Sequence, residues 1–306
     1  MSDNHNHHSH GHHHDHTHGI TSVNTVFIIS LALNLGFVVI ESIIGFRQHS
    51  LSLLSDAGHN MSDVLSLLLV LVSLRLAARH SNSTYTYGYK KSTVLVSLLN
   101  AVLLLVAVGA IIVESIHKFA DPVSVDGAAI SWTAGAGILI NGLTAVLLMH
   151  GQQRDINIRG AFLHMVADTL VSVGVVVSGI VISLTGWYII DPIVSMLIAV
   201  VILISTWHLL SSSLRLSLDG VPENIDMNKV TETLSRPEEV VEVHHIHVWP
   251  ISTTETALTA HLVVKDMEKA EPVCSAVRQG LQALGISHAT LECEHEGNEC
   301  TKKECC

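Results

Sequence analysis

Between residues 22 and 214 the chain is a series of apolar runs with few charges, each close to the ~20 residues a helix needs to cross a bilayer's hydrocarbon core. Six spans are expected, at about 22–46, 52–78, 91–117, 127–149, 159–185 and 189–214. Hydrocarbon offers no partner to an unpaired backbone N–H or C=O, so the spans must be helical. Gly, Ser and Ala recur in them, as close packing between membrane helices requires. The expected class is therefore an α-helical membrane protein, a six-helix transmembrane bundle.

Composition adds a soluble part: of 306 residues, 48% are hydrophobic and 14% charged. With 16 Lys and Arg against 27 Asp and Glu, and no basic cluster, the chain has no phosphate-binding surface, which excludes nucleic acid as a partner. All five cysteines follow residue 273, a distribution that suits reduced cytosolic thiols rather than a disulfide framework. The amino terminus is polar and histidine-rich, not basic-then-apolar, so no cleavable signal peptide is expected.

Basic residues set the orientation. Arg75, Arg79, Lys90, Lys91, Arg154, Arg159 and Arg215 lie in the loops after spans two and four and at the exit of span six. The opposite loops hold only Arg47 and Lys118. The positive-inside rule then puts both termini in the cytoplasm of a multi-pass protein. Four segments are expected: a disordered, metal-gathering His-rich tail over 1–20, the membrane domain over 21–215, a cytosolic domain over 216–295, and a cysteine-containing tail over 296–306. The tail's nine histidines are interrupted by other residues, unlike an uninterrupted expression tag. In the cytosolic domain, periodicity predicts a helix at 225–235, strands at 240–249 and 254–264, a helix at 269–284 and a strand at 287–294. That αββαβ order makes a small α+β sheet with helices on one face.

Two polar pairs interrupt the apolar spans at the same spacing: His59 with Asp63, and His164 with Asp168. Residues four apart share one face of a helix, so each pair presents an imidazole and a carboxylate to one side. Two such helices face to face supply two nitrogens and two oxygens, the tetrahedral set that zinc accepts. Ionisable residues in a membrane are costly and point to function. One pair could be structural, satisfying its neighbours by hydrogen bonds; two at identical spacing favour a metal site. Asp56 is expected to orient a ligand or carry a proton rather than to bind metal. Glu41, Glu114, Asn34, Asn141 and His208 read singly as interhelical hydrogen-bond partners.

In the soluble part His244, His245, His247, His261, His288 and His295 crowd the strands beside Glu294. Strand alternation puts His245 and His247 on one face and His244 on the other. Six histidines within about fifty residues favour at least one cytosolic metal site.

These motifs resemble those of the cation diffusion facilitator (CDF) family of zinc and divalent-metal exporters. Leu54 through Asp63 resembles the family's second-helix motif, and His164 through Gly179 its fifth helix. Tyr87-Gly88-Tyr89-Lys90-Lys91 resembles the entry to the third helix, Asp191-Pro192 the start of the sixth, and Val243 through Trp249 the first cytosolic strand. The resemblance runs from about residue 20 to 295. It implies a homodimer in the lipid bilayer with a ferredoxin-like, metallochaperone-like cytosolic domain. The implied activity is zinc efflux by metal/proton antiport and alternating access, with Zn²⁺ as transported substrate and cytosolic regulatory ligand, Cd²⁺ or Co²⁺ as other cargo, and protons as counter-ion. By the same resemblance, His59, Asp63, His164 and Asp168 form the transport site, and His244, His261, His288 and Glu294 a cytosolic one. Two departures stand out: Ser92-Thr93 where the family usually has an acid, and a short loop without histidine between spans four and five. The compact form suggests a bacterial inner membrane. The rival readings are a membrane-embedded zinc-dependent enzyme and a metal sensor. A catalytic zinc keeps an open position, which two His and two Asp would fill, and no separate base or output domain is evident.

Overall fold

A computed structural model describes the backbone of residues 17–47, 51–120, 127–153, 155–187 and 189–297. Most of the His-rich tail, Cys300, Cys305, Cys306 and the side chains of Asp56, His59 and Glu114 lie outside the described residues.

Six long helices come first: α1 (Thr17–Arg47), α2 (Leu51–Ala77), α3 (Ser92–Ala120), α4 (Gly127–Leu148), α5 (Ile156–Thr185) and α6 (Ile190–Ser217). Their side chains are arranged inside out relative to a soluble domain. Large apolar residues face outward, with Leu184, Leu139 and Ile204 at 81%, 72% and 69% exposure. Buried between the helices instead are Ser30, Asn34, Asn60, Asp63, Ser97, Asn141, Thr144, His164 and Ser213. A protein in water would aggregate through such a surface, whereas in lipid the polar groups must find each other inside. They do: Asn34 Nδ2 donates to Thr144 Oγ1 at 3.0 Å, Asn60 Nδ2 to Glu41 Oε2 at 2.9 Å, and the Ser97 and Ser213 hydroxyls meet at 2.8 Å. Asn34 and Glu41 are thus interhelical hydrogen-bond partners, as read from the sequence.

Among the described residues, three stretches are long and apolar enough to cross a membrane: Thr25–Ile44 in α1, Ser92–His117 in α3 and Pro192–Ser217 in α6. The polar helices α2 and α5 pack among the others: α1 pairs with α2, α4 with α5 and α3 with α6, while α5 also touches α2, α3 and α6. Phe27, Leu67, Val70, Leu148, Ala161 and Met165 join α1, α2, α4 and α5, and Val108, Ala167, Ile198 and Ile202 join α3, α5 and α6. Gly174 permits the close α5–α6 approach: a Cβ there would stand 2.6 Å from Ile198 Cδ1.

The soluble part has α7 (Met227–Ser235), β1 (Val240–Pro250), β2 (Thr256–Val264), α8 (Ala270–Ala283) and β3 (Ile286–His295). This is the expected αββαβ order. Central β2 pairs antiparallel with β1 and parallel with β3. Alternation sends Leu258, Ala260, Leu262 and Val264 of β2 into a core with Val230, Leu234, Val277 and Leu281 of the helices. His261 therefore falls on the face away from the helices.

The two parts are latched where α2 leads into α3. Lys90 Nζ donates to Glu255 Oε2 at 2.6 Å, and Lys91 Nζ to Asp219 Oδ1 at 2.5 Å and the Pro250 carbonyl at 3.2 Å. Thr253 in the β1–β2 turn donates its N–H to Thr93 Oγ1 at 3.1 Å, and its hydroxyl accepts from Asn157 Nδ2 at 3.3 Å. Asp155 caps α5, Oδ1 accepting from Asn157 N at 2.7 Å; burial holds its carboxyl above the usual carboxylate range.

Candidate metal centres

Helical phase puts Asp63 on the buried face of α2 and His164 and Asp168, one turn apart, on the face of α5 that meets it. His164 Nε2 lies 2.5 Å from Asp63 Oδ1 and 3.6 Å from Asp168 Oδ2. Asp63 is wholly buried and His164 nearly so. One ligand atom from each of the three residues lies within 4.8 Å of the others. Donors around tetrahedral zinc stand roughly 3.3 Å apart, given bonds of about 2.0 Å, so small side-chain adjustments let all three converge on one cation. His59 stands on the turn of α2 before Asp63, but its side chain lies outside the described residues.

The second cluster lies on the helix-free face of the sheet. His261 Nδ1 is 2.6 Å from Glu294 Oε1, its Nε2 is 3.5 Å from Glu292 Oε2, and His244 Nε2 is 3.4 Å from Glu294 Oε2. Three of the four residues expected at the cytosolic site are therefore together. His288 is not with them; its ring meets Tyr87 edge-on, with centroids 5.8 Å apart. It precedes Glu294 by six residues of extended strand, roughly 20 Å at 3.3 Å per residue.

His245 takes the place near the cluster that His288 leaves. Strict alternation separates it from His244, but β1 carries a bulge between His244 and His247, with His245 at φ 50°. A bulge adds one residue against the partner strand and re-aims a side chain. Val243 and Ile246 both pack toward the helices, and the two histidines between them turn to the other face. The ring of His245 lies 4.9 Å from those of His244 and His261, and His244 lies 5.3 Å from His261. Nδ1 of His244 and Nε2 of His245 are buried without a hydrogen bond. Buried polar nitrogens normally have partners, and a cation would supply one. Sequence reasoning missed His245 and Glu292 as members of this set; Glu292 was open to it, two residues before Glu294 on the same face.

Fold and sites together define an integral membrane protein whose titratable residues converge between two packed helices and again on a small sheet. Residues 27–216 match the cation efflux transmembrane domain and residues 222–296 the cation efflux protein cytoplasmic domain. The chain is 34% identical over 278 residues to a cadmium, cobalt and zinc/H(+)-K(+) antiporter of Bacillus subtilis (strain 168), covering 89% of each. It is 36% identical over 281 residues to the zinc transporter ZitB of Yersinia pestis, covering 91% of this chain and 89% of the other. ZitB of Escherichia coli (strain K12) is 34% identical over 275 residues, 88% of each. The chain belongs to the cation efflux, or cation diffusion facilitator, family.

Proposed function

We propose that this protein exports zinc from the cytoplasm in exchange for protons, by alternating access at Asp63, His164 and Asp168 with His59 as fourth ligand. The observation that carries the reading is the convergence of two carboxylates and an imidazole from α2 and α5 in a buried interior. Metal ligands must shed their protons, so zinc and protons compete for the same atoms. Facing a cytoplasm where protons are scarcer, the ligands give up their protons to bind zinc. Facing a more acidic exterior, where protons are plentiful, they take protons and let it go. Divalent cargo other than zinc, such as the cadmium and cobalt in the name of the Bacillus subtilis relative, suits the same donors.

All six long helices cross the membrane in this reading, with both termini in the cytoplasm, a homodimer as the working unit and a bacterial inner membrane as its place. The cytosolic cluster of His244, His245, His261 and Glu294 binds regulatory zinc. The family and its relatives' names favour a transporter over an enzyme.

Purified protein in proteoliposomes, with zinc and pH dyes inside, tests this. Zinc flux with opposed proton movement is expected, and varying K⁺ reads any part it plays. Zinc binding without flux would turn the reading toward a sensor, and zinc-dependent turnover of a substrate without flux toward an enzyme.

A further inference from the structure

Glu41 is the only charged residue in the apolar stretch Thr25–Ile44 of α1, and it is 4% exposed. A carboxylate so placed is costly, and for holding two helices together it is unnecessary: a glutamine would accept the same hydrogen bond without an ionisable proton. What a glutamate has and a glutamine lacks is proton exchange.

Its position suits that use. Glu41 Oε2 accepts from Asn60 Nδ2, and Asn60 is on α2, three residues before the buried Asp63 and so on nearly the same face. Three residues of helix are about 4.5 Å along the axis. The opposite end of α2 leads to the segment whose Lys90 and Lys91 grip the cytosolic part. Glu41 thus stands about one turn from Asp63 on the side away from that part, at the level of His59. The Asn60 amide can donate to an ionised carboxylate or to the carbonyl oxygen of the neutral acid, so the contact survives a change of protonation. Helices α2 and α4 pack against α1. No titratable residue exists in α4 (Gly127–Leu148); from α2 the nearby titratable residues in sequence are Asp56, His59 and Asp63.

We propose that Glu41 is the exit-side proton carrier of the exchange. It takes up a proton from the far side as zinc leaves, holds it while the emptied site turns back, and gives it up as the next zinc enters. The proposal rests on the transport reading above and adds to it a residue outside the metal-binding set. Zinc and the proton then need not meet on one atom: the arriving dication lowers the affinity of a nearby carboxyl for its proton by Coulomb repulsion, which burial between apolar helices screens less than bulk water would.

The test compares full-length wild type and Glu41→Gln in proteoliposomes. Three quantities are measured: zinc binding in detergent by calorimetry, exchange of radioactive for unlabelled zinc at equal pH, and net zinc flux driven by a pH gradient. Binding and exchange should persist in Glu41→Gln, while net flux falls roughly tenfold or more and loses its dependence on the outer pH. Glu41→Asp should restore part of both. Wild-type net flux and pH profile in Glu41→Gln would overturn the proposal, and so would a parallel loss of binding and exchange, which marks a structural role. Should Glu41→Gln not fold, Asn60→Ala reads the same group: losing a donor to the ionised form should move the outer-pH dependence to higher pH, and an unmoved profile overturns the proposal. Absence of zinc flux in the wild type would instead overturn the transport reading and this inference with it.

Discussion

Asp63 has no exposed surface, yet its Oδ1 lies 2.5 Å from His164 Nε2. A group that has given up water in an apolar bundle needs a partner of opposite character, and an imidazole or a dication serves. Asp63→Ala should abolish zinc flux while the protein still inserts and dimerises, checked by flux assay beside size-exclusion chromatography; wild-type flux from this variant would remove Asp63 from the site. A second residue is tuned the other way. Burial, and then its contact with the Cys274 thiol 2.9 Å away, push the Cys293 thiol up to about 12. At pH 8 only roughly one thiol in ten thousand is then the reactive thiolate. Iodoacetamide at pH 8 should therefore leave Cys293 unlabelled in the folded protein and label it in denaturant, read by mass spectrometry. Helix geometry made Asp63, His164 and Asp168 legible, because a spacing of four fixes a shared face once the span is known to be helical. The reading of Cys293 as a reduced thiol was legible too, but not its inertness, which comes from α8 lying over β3.

At the scale of elements, two short features decide what the helices and strands can do. The β1 bulge is one. Its effect on His245 could not be read from alternation, since a bulge depends on how the partner strand pairs. His245→Ala should weaken zinc binding at the cytosolic cluster by roughly ten- to a hundredfold, measured by calorimetry on full-length protein whose transport site is removed by Asp63→Ala. Undiminished affinity would take His245 out of the cluster. The other is the start of α5, where Asp155 caps the helix and its neighbour Asn157 reaches Thr253 of the β1–β2 turn. Burial raises the Asp155 pKa, so the folded protein holds this proton more tightly than the unfolded chain. Stability from the group is therefore present at acid pH and is lost as pH rises through the folded value. Asp155→Ala should cost about 1 kcal/mol through the lost cap. Asp155→Asn keeps an acceptor and removes the ionisation, so its Tm relative to wild type should rise as pH climbs from the ordinary carboxylate range through the raised folded value; a difference that stays flat with pH would show that Asp155 is not buried as an acid.

For the whole molecule, the inside-out distribution of side chains ties fold to function. Apolar exterior and polar interior were both legible as six apolar runs carrying isolated polar residues. The docking of the cytosolic part through Lys90, Lys91 and Thr253 was not, since each bond joins segments more than a hundred residues apart. The proposed exchange makes a directional prediction for this assembly. Ligands shared by zinc and protons bind zinc best where protons are scarce and release it best where they are plentiful. With the cytosolic face at pH 7.5 and the far face at pH 5.5, protons are about a hundredfold scarcer where zinc loads than where it leaves, so the same ligands favour zinc on one side and protons on the other. Export should run fastest under that gradient and slow when an ionophore collapses it. With the gradient reversed, each face presents the wrong protonation state: the loading side fills with protons and the release side holds its zinc. Net export should then fall below the rate at equal pH, even though the zinc gradient is unchanged. Sealed vesicles of one orientation, with zinc and pH dyes read together, make the measurement. Zinc flux indifferent to the sign of the pH gradient would break the coupling between protons and these ligands.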